Sequence, residues 1–273
     1  MFAEELSRVL NQRIVVDDRP GAGNAIGARA GAAAQPSGYN FFVGGLAAHP
    51  ILQKNGVDVM SEMLPVTVVL EVPLVFATTT KLPLKSVAEL VAYARANPGK
   101  LNFASSGGSP YLSLMMRLLS ERAGGIPHVH VPYRNASDIQ TGFGTGDVHI
   151  ALASSTSMPA SLKRGDATPI LFAGPARSPL LPNTPTPAEV GIKDFSVETL
   201  FGLWAPRGTS REHIAKINAA ANEAARTPGY TSRVVSAFGA TPPVTTPEQT
   251  LARFRTQLRL IEEAVRLSNF KPE

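Results

Sequence analysis

The chain has 273 residues, enough for one large domain or two smaller lobes, and its 44% hydrophobic and 17% charged residues exclude a disordered chain. Its formal charge of +5 suits anionic small molecules, but no Lys/Arg run reaches five and aromatics are only 7%, which argues against nucleic acid as a partner. The absence of cysteine excludes disulfides, thiolate metal sites and thiol nucleophiles, and no apolar run reaches the roughly 18–20 residues that cross a bilayer.

The first residues, "MFAEELSRVLNQ", predict a helix over 2–12 with Leu6, Val9 and Leu10 on one face. They carry Glu4 and Glu5 and no apolar core of a signal peptide, so on their own they predict a cytoplasmic chain; a mature export substrate reads the same. "RIVV" (13–16) predicts a short buried strand, "RPGAG" a turn, and 24–34 a helix of small residues. "YNFFVGG" (39–45) predicts a strand, and "LPVTVVLEVPLVFATT" (64–79) two strand pieces split by Pro73. Ser86, with Glu89 three residues on, predicts a capped helix that ends at Pro98-Gly99. Strands follow at 101–104, 128–133, 147–154, 168–174 and 198–206, with helices at 112–124, near 159–164, and over 210–227, 230–238 and 247–268. The alternation predicts an α/β protein with mainly parallel sheets.

Two strand–loop–helix devices stand out. In "DDRPGAGNAIGARAG", Gly21, Gly23 and Gly27 follow a predicted strand and open a helix. A dinucleotide fingerprint needs an acidic residue about 20 positions on, and no Asp or Glu lies between Asp18 and Asp58. What stays open is a carboxylate cradle at a helix N-terminus or a plain tight turn with close helix packing. The second device is "ASSGGSP", where Ser105, Ser106 and Ser109 supply hydroxyls before a helix; its plain reading is a helix cap on a loop. Recurrence of the device in both halves suits a ligand with two carboxylates.

Catalysis finds little support. His128 and His130 alternate on a strand and share a face, but no third ligand stands at metal spacing. No Gly-x-Ser-x-Gly elbow is present, and Ser105 or Ser106 as a nucleophile would need a positioned histidine and acid. The expectation is therefore no enzyme, no metal and no cofactor.

The order of motifs carries a resemblance. "DDRPGAGNAIGARAGAAAQPSGYNF", "VAELVAYARANPGKLNFASSGGSP", "HVHVPYRNASD", "GTGDVHIAL", "RSPLLPNTPTPAEVGI" and "LFGLWAPRGTS" follow one another along nearly the whole chain. This resembles the Bug, or TctC-like, extracytoplasmic solute receptors of tripartite tricarboxylate transporters. The resemblance implies a type II periplasmic-binding-protein fold with two α/β lobes joined by crossing strands. Residues 1–80 would form the first part of lobe I, 81–200 lobe II, and 201–273 the return to lobe I with C-terminal helices. It implies a small carboxylate ligand (a di- or tricarboxylate or an aromatic acid) in an interlobe cleft, membrane transporter subunits as partners, a monomer, and a periplasmic location. The positions carried over are Gly23, Asn24 and Ala25 in lobe I; Ser105, Ser106 and Gly107 in lobe II; Tyr133 of the Pro132-Tyr133 pair; and Ser154 at the end of the 147–154 strand.

Departures from the family pattern set further expectations. The family's opening strand and Pro-Gly-Gly-x-x-Asp loop have no match before "FAEELSRVL", which leaves lobe I N-terminally incomplete and half the carboxylate cradle missing. A truncated or degenerate paralogue without ligand, acting as an interaction or signalling protein or non-functional, is the alternative reading this raises. Asn135 stands where the family has Gly, Ala153 replaces an Asp that holds a ligand's amino group in some members, and "LAAH" replaces a Ser/Thr cluster. This thinner polar coverage argues against an amino-acid ligand.

Overall fold

In the computed structural model the apolar run Met63–Thr79 is one unbroken 17-residue strand, not two pieces split by Pro73. Proline costs a strand one ladder donor, but the Pro73 carbonyl still accepts from the Ser155 amide at 3.1 Å, so the ladder passes the proline. The structure describes every residue except Gly107, Gly108, Ser109, Arg134, Thr156, Ser157, Thr241, Asn269 and Glu273. The described elements are, in chain order, α1 (Phe2–Leu10), α2 (Ala25–Ala32), β1 (Phe42–Gly44), α3 (Val59–Glu62), β2 (Met63–Thr79), α4 (Val87–Ala96), β3 (Asn102–Ser106), α5 (Tyr111–Arg122), β4 (Val129–Tyr133), α6 (Ala136–Thr145), β5 (Ile150–Ser154), α7 (Pro159–Arg164), β6 (Ala167–Phe172), β7 (Glu198–Pro206), α8 (Arg211–Arg226), α9 (Pro228–Phe238) and α10 (Pro247–Ser268).

The chain packs as two compact units. One comprises Met1–Glu71, Thr199–Arg259 and Lys271–Glu273; the other comprises Val72–Glu198 and Leu260–Phe270. In the first unit, β1, β7 and the early part of β2 lie side by side, with β1 antiparallel to β7. Leu6, Val66, Val69, Leu203, Ile214, Ala221 and Ala224 form its core. Two large buried polar side chains of this unit find backbone partners: the Trp204 indole donates to the Gly44 carbonyl at 3.1 Å, and the Tyr230 hydroxyl donates to the Val69 carbonyl at 2.8 Å. "RIVV" is not a strand. The Ile14 amide donates to the Ser7 hydroxyl at 3.0 Å, which turns the backbone toward α1, and Val15 and Val16 are 74% and 64% exposed. A β-branched run without a ladder partner stays irregular.

In the second unit the later part of β2 lies between β5 and β6, antiparallel to both. The parallel pairing expected from the sequence is confined here to β4–β3–β5; the sheets are mixed, and the long strand supplies the antiparallel contacts. Val75, Ala104, Phe143, Ala151, Met158 and Phe172 form the core between sheet and helices. The predicted cap of α4 forms: the Ser86 hydroxyl accepts from the Glu89 amide at 3.2 Å, while the Glu89 carboxylate reaches back to the Lys85 amide at 2.6 Å. Helix α6 has no counterpart among the predicted elements. Its signal was Asn135, whose side chain accepts from the Asp138 amide at 3.0 Å as N-cap; Gly142 and Gly144 hid the helix. Gly142 is there because a Cβ would run into Val148 and the Tyr133 hydroxyl.

Candidate functional site

Parallel strands place their C-terminal ends at one edge of a sheet, where loops leave for the following helices and ligands commonly bind. In the second unit β3, β4 and β5 share that direction. Register pairs Ser105 with Pro132 and Ser106 with Tyr133, and sets Ala104 beside Ala151, three residues before Ser154. The sheet thus brings Ser105, Ser106, Tyr133 and Ser154 to one edge. Ser154 and Leu74 are partners across to β2. Gly107 lies outside the described residues.

Ser105 is 4% exposed, and its hydroxyl lies 2.8 Å from His130 Nε2. The partner sits on the neighbouring parallel strand, two residues before the register mate of Ser105. His128 and His130 flank buried Phe103, each ring centroid 5.5 Å from that of the phenyl. The His128 Nδ1 atom lies 2.6 Å from the Ile126 carbonyl, which fixes a proton on that nitrogen. Burial holds both imidazoles below the ordinary histidine value, and each feels a like charge as well: Arg117 acts on His128, and His128 on His130. The His-x-His pair weighed as metal ligands thus packs on Phe103 and reaches Ser105. Among the described residues no group of three His, Asp or Glu side chains gathers around a metal position.

Gly23, Asn24 and Ala25 belong to the other unit. Ala22, Gly23 and Asn24 take φ values of 44°, 53° and 75°, three successive residues in the left-handed region. Gly23 is required twice, by its φ and because a Cβ there would fall on the Gln53 side-chain amide. Gln53 is itself held by donating to the Ala47 carbonyl at 2.8 Å. The Asn24 amide donates to the Gly21 carbonyl at 3.0 Å, and the Ala25 amide to the Ala22 carbonyl. Two of the three amides that the sequence offered to an anion are therefore used inside the turn. Gly21 to Asn24 are exposed and Ala25 is buried. No helix among the described residues is long and apolar enough to cross a membrane.

An α/β protein with sheets of this kind, flanked by helices, has the periplasmic-binding-protein type of fold, as its matches to solved structures show. Over its full length it superposes on R. palustris Rpa4515 with adipate, at a TM-score of 0.81 and 26% identity, covering 92% of that chain. It superposes on MatC (Rpa3494) from Rhodopseudomonas palustris with bound malate at 0.70 and 27% identity, covering 98% of this chain and 91% of the other. Among sequence relatives, Protein BugT of Bordetella pertussis is 30% identical over 258 residues, 92% of this chain and 78% of BugT. The model of the tripartite tricarboxylate transporter family receptors, TctC, matches residues 1–264. The chain belongs to that family, whose members are substrate-binding receptors.

Proposed function

We propose that this chain is a non-catalytic receptor that binds a small carboxylate, a dicarboxylate first of all, in the periplasm and delivers it to the membrane subunits of a tripartite tricarboxylate transporter. The observation that carries this reading is that Rpa4515 and MatC, both 26–27% identical to this chain and aligned over almost all of it, hold adipate and malate, each a dicarboxylate. The edge formed by the ends of β3, β4 and β5 is the part of this chain that we assign to one carboxylate, with the Ser105 hydroxyl as donor and Ser106, Tyr133 and Ser154 at the same edge. In the other unit, the Gly23 amide and the Asn24 side chain are the donors we assign, since the Asn24 and Ala25 amides are engaged. A neutral hydroxyl suits an anion because it donates without a competing charge.

Calorimetry on the full gene product with adipate, malate, an aromatic acid and a neutral amino acid tests the reading. Saturable binding of an acid, with the amino acid silent, is the expected result. A protein that answers none of the acids while keeping a cooperative thermal transition is not such a receptor.

A further inference from the structure

The Ser105–His130 pair carries an inference beyond binding as such, and it rests on the carboxylate reading above. A serine hydroxyl has one proton. If that proton points at the imidazole, the hydroxyl offers a carboxylate only lone pairs and repels it. If the imidazole donates instead, the hydroxyl proton is free to turn to the ligand. The 2.8 Å separation leaves no room for both partners to donate or for a water between them. Ser105 is almost fully buried, so water does not offer its hydroxyl an easy alternative.

We propose that His130 is a positioning residue that sets the direction of the Ser105 hydroxyl proton, so that carboxylate binding at the end of β3 tightens on acidification. Neutral His130 has two tautomers, and the one with its proton on Nδ1 accepts from Ser105 and withdraws the donor. Protonated His130 has no accepting nitrogen left, so Nε2–H donates to Ser105 Oγ, and Oγ–H turns to the carboxylate. The proton that forms the new N–H bond of the imidazole comes from the buffer acid, whose own bond to that proton breaks and whose conjugate base stays in solution.

The surroundings favour a switch over a permanent cation. The Phe103 ring packs on one side of His130, and His128, flanking the same ring, is the titratable neighbour that opposes its charge. Arg117 on α5 acts on His128 in turn. Burial first, and then the neighbouring His128, favour the neutral form of His130, and an anion beside Ser105 pulls it back toward the charged form.

The test is malate affinity by calorimetry between pH 8 and pH 5.5, in two buffers of different ionisation enthalpy, for the wild type, His130→Gln and Ser105→Ala. Wild-type affinity is expected to rise by about three- to tenfold relative to His130→Gln across that range, with proton uptake that the variant lacks. Ligand titration is common to both proteins and cancels in the ratio. Ser105→Ala is expected to bind more weakly and to lose the extra pH slope; a slope retained there would mean plain charge attraction and overturn the proposal. Equal slopes in wild type and His130→Gln would overturn it too, while leaving the carboxylate reading intact. Binding of no acid at any pH would remove both. Should a variant fail to fold, the ring nitrogens of His130 followed by NMR in the wild type decide the matter: malate must raise the pH at which they titrate, and an unmoved titration overturns the proposal.

Discussion

The glycine turn before α2 and the serine-bearing end of β3 look alike as sequence, each a short loop of small residues opening a helix, yet their physics differs. The turn is exposed, wound through three left-handed residues, and spends two of its amides on itself. Ser105, near the end of β3, is buried in extended backbone, and its hydroxyl is hydrogen-bonded to an imidazole. A run of glycines buys conformations, whereas a serine at the end of a buried strand supplies a donor whose direction can be set. The same pattern thus yields a shape in one unit and a polarity in the other.

The largest effect is expected from Phe103→Ala, which removes the ring on which both histidines rest. Truncating a fully buried phenylalanine costs about 3–5 kcal/mol, measurable by urea denaturation, and would free His130 to titrate nearer its ordinary value. Next comes Glu198, at the start of β7, which is 4% exposed and pushed up to about 7 by burial. Its folded-state value lies above the ordinary 4.5, so its contribution is fully present below pH 4.5 and lost as pH rises through about 7. Glu198→Gln should therefore gain on the order of 3 kcal/mol relative to the wild type at pH 8 and little at pH 4.5. His128, His130 and His149 are all held low by burial. Their contribution runs the other way, present above pH 6.5 and lost below it, so the acid limb should survive in Glu198→Gln.

Smaller effects probe the turn. Gly23→Ala should cost about 1–2 kcal/mol from the left-handed backbone and the displaced Gln53 amide. In the Gln53→Ala background the steric part of that cost should vanish, leaving only the backbone part, which a double-mutant cycle reads directly. A cost independent of Gln53 would show that the turn is held by its φ angles alone. Asn135→Ala should remove about 1 kcal/mol with the cap of α6, visible as a lowered melting temperature.

Much of this fold was legible where the signal is local. Ser86 and Glu89 announced α4. The family motifs named the receptor class, which the match over residues 1–264 establishes. What failed were readings that depend on a distant partner. "RIVV" has the right residues for a strand but gives the Ile14 amide to α1. Asn135 announced α6, but two glycines made the helix look like loop. The Ser105–His130 pair joins residues 25 apart in sequence through a parallel register that no local pattern encodes.

The passage of β2 from Glu71 to Val72 has a consequence for biosynthesis. The first unit is made from three stretches of chain, and the second of them, Thr199–Arg259, begins only after the other unit's main segment, Val72–Glu198, has been made. At about 5–20 residues per second on the ribosome, the early half waits on the order of ten seconds or more for β7 and α8 to emerge. Until then Val66, Val69 and Leu6 have no mates from Leu203 and Ile214. The unit built mainly from one continuous stretch has its strands available first, while the first stretch of the other unit still lacks its partners.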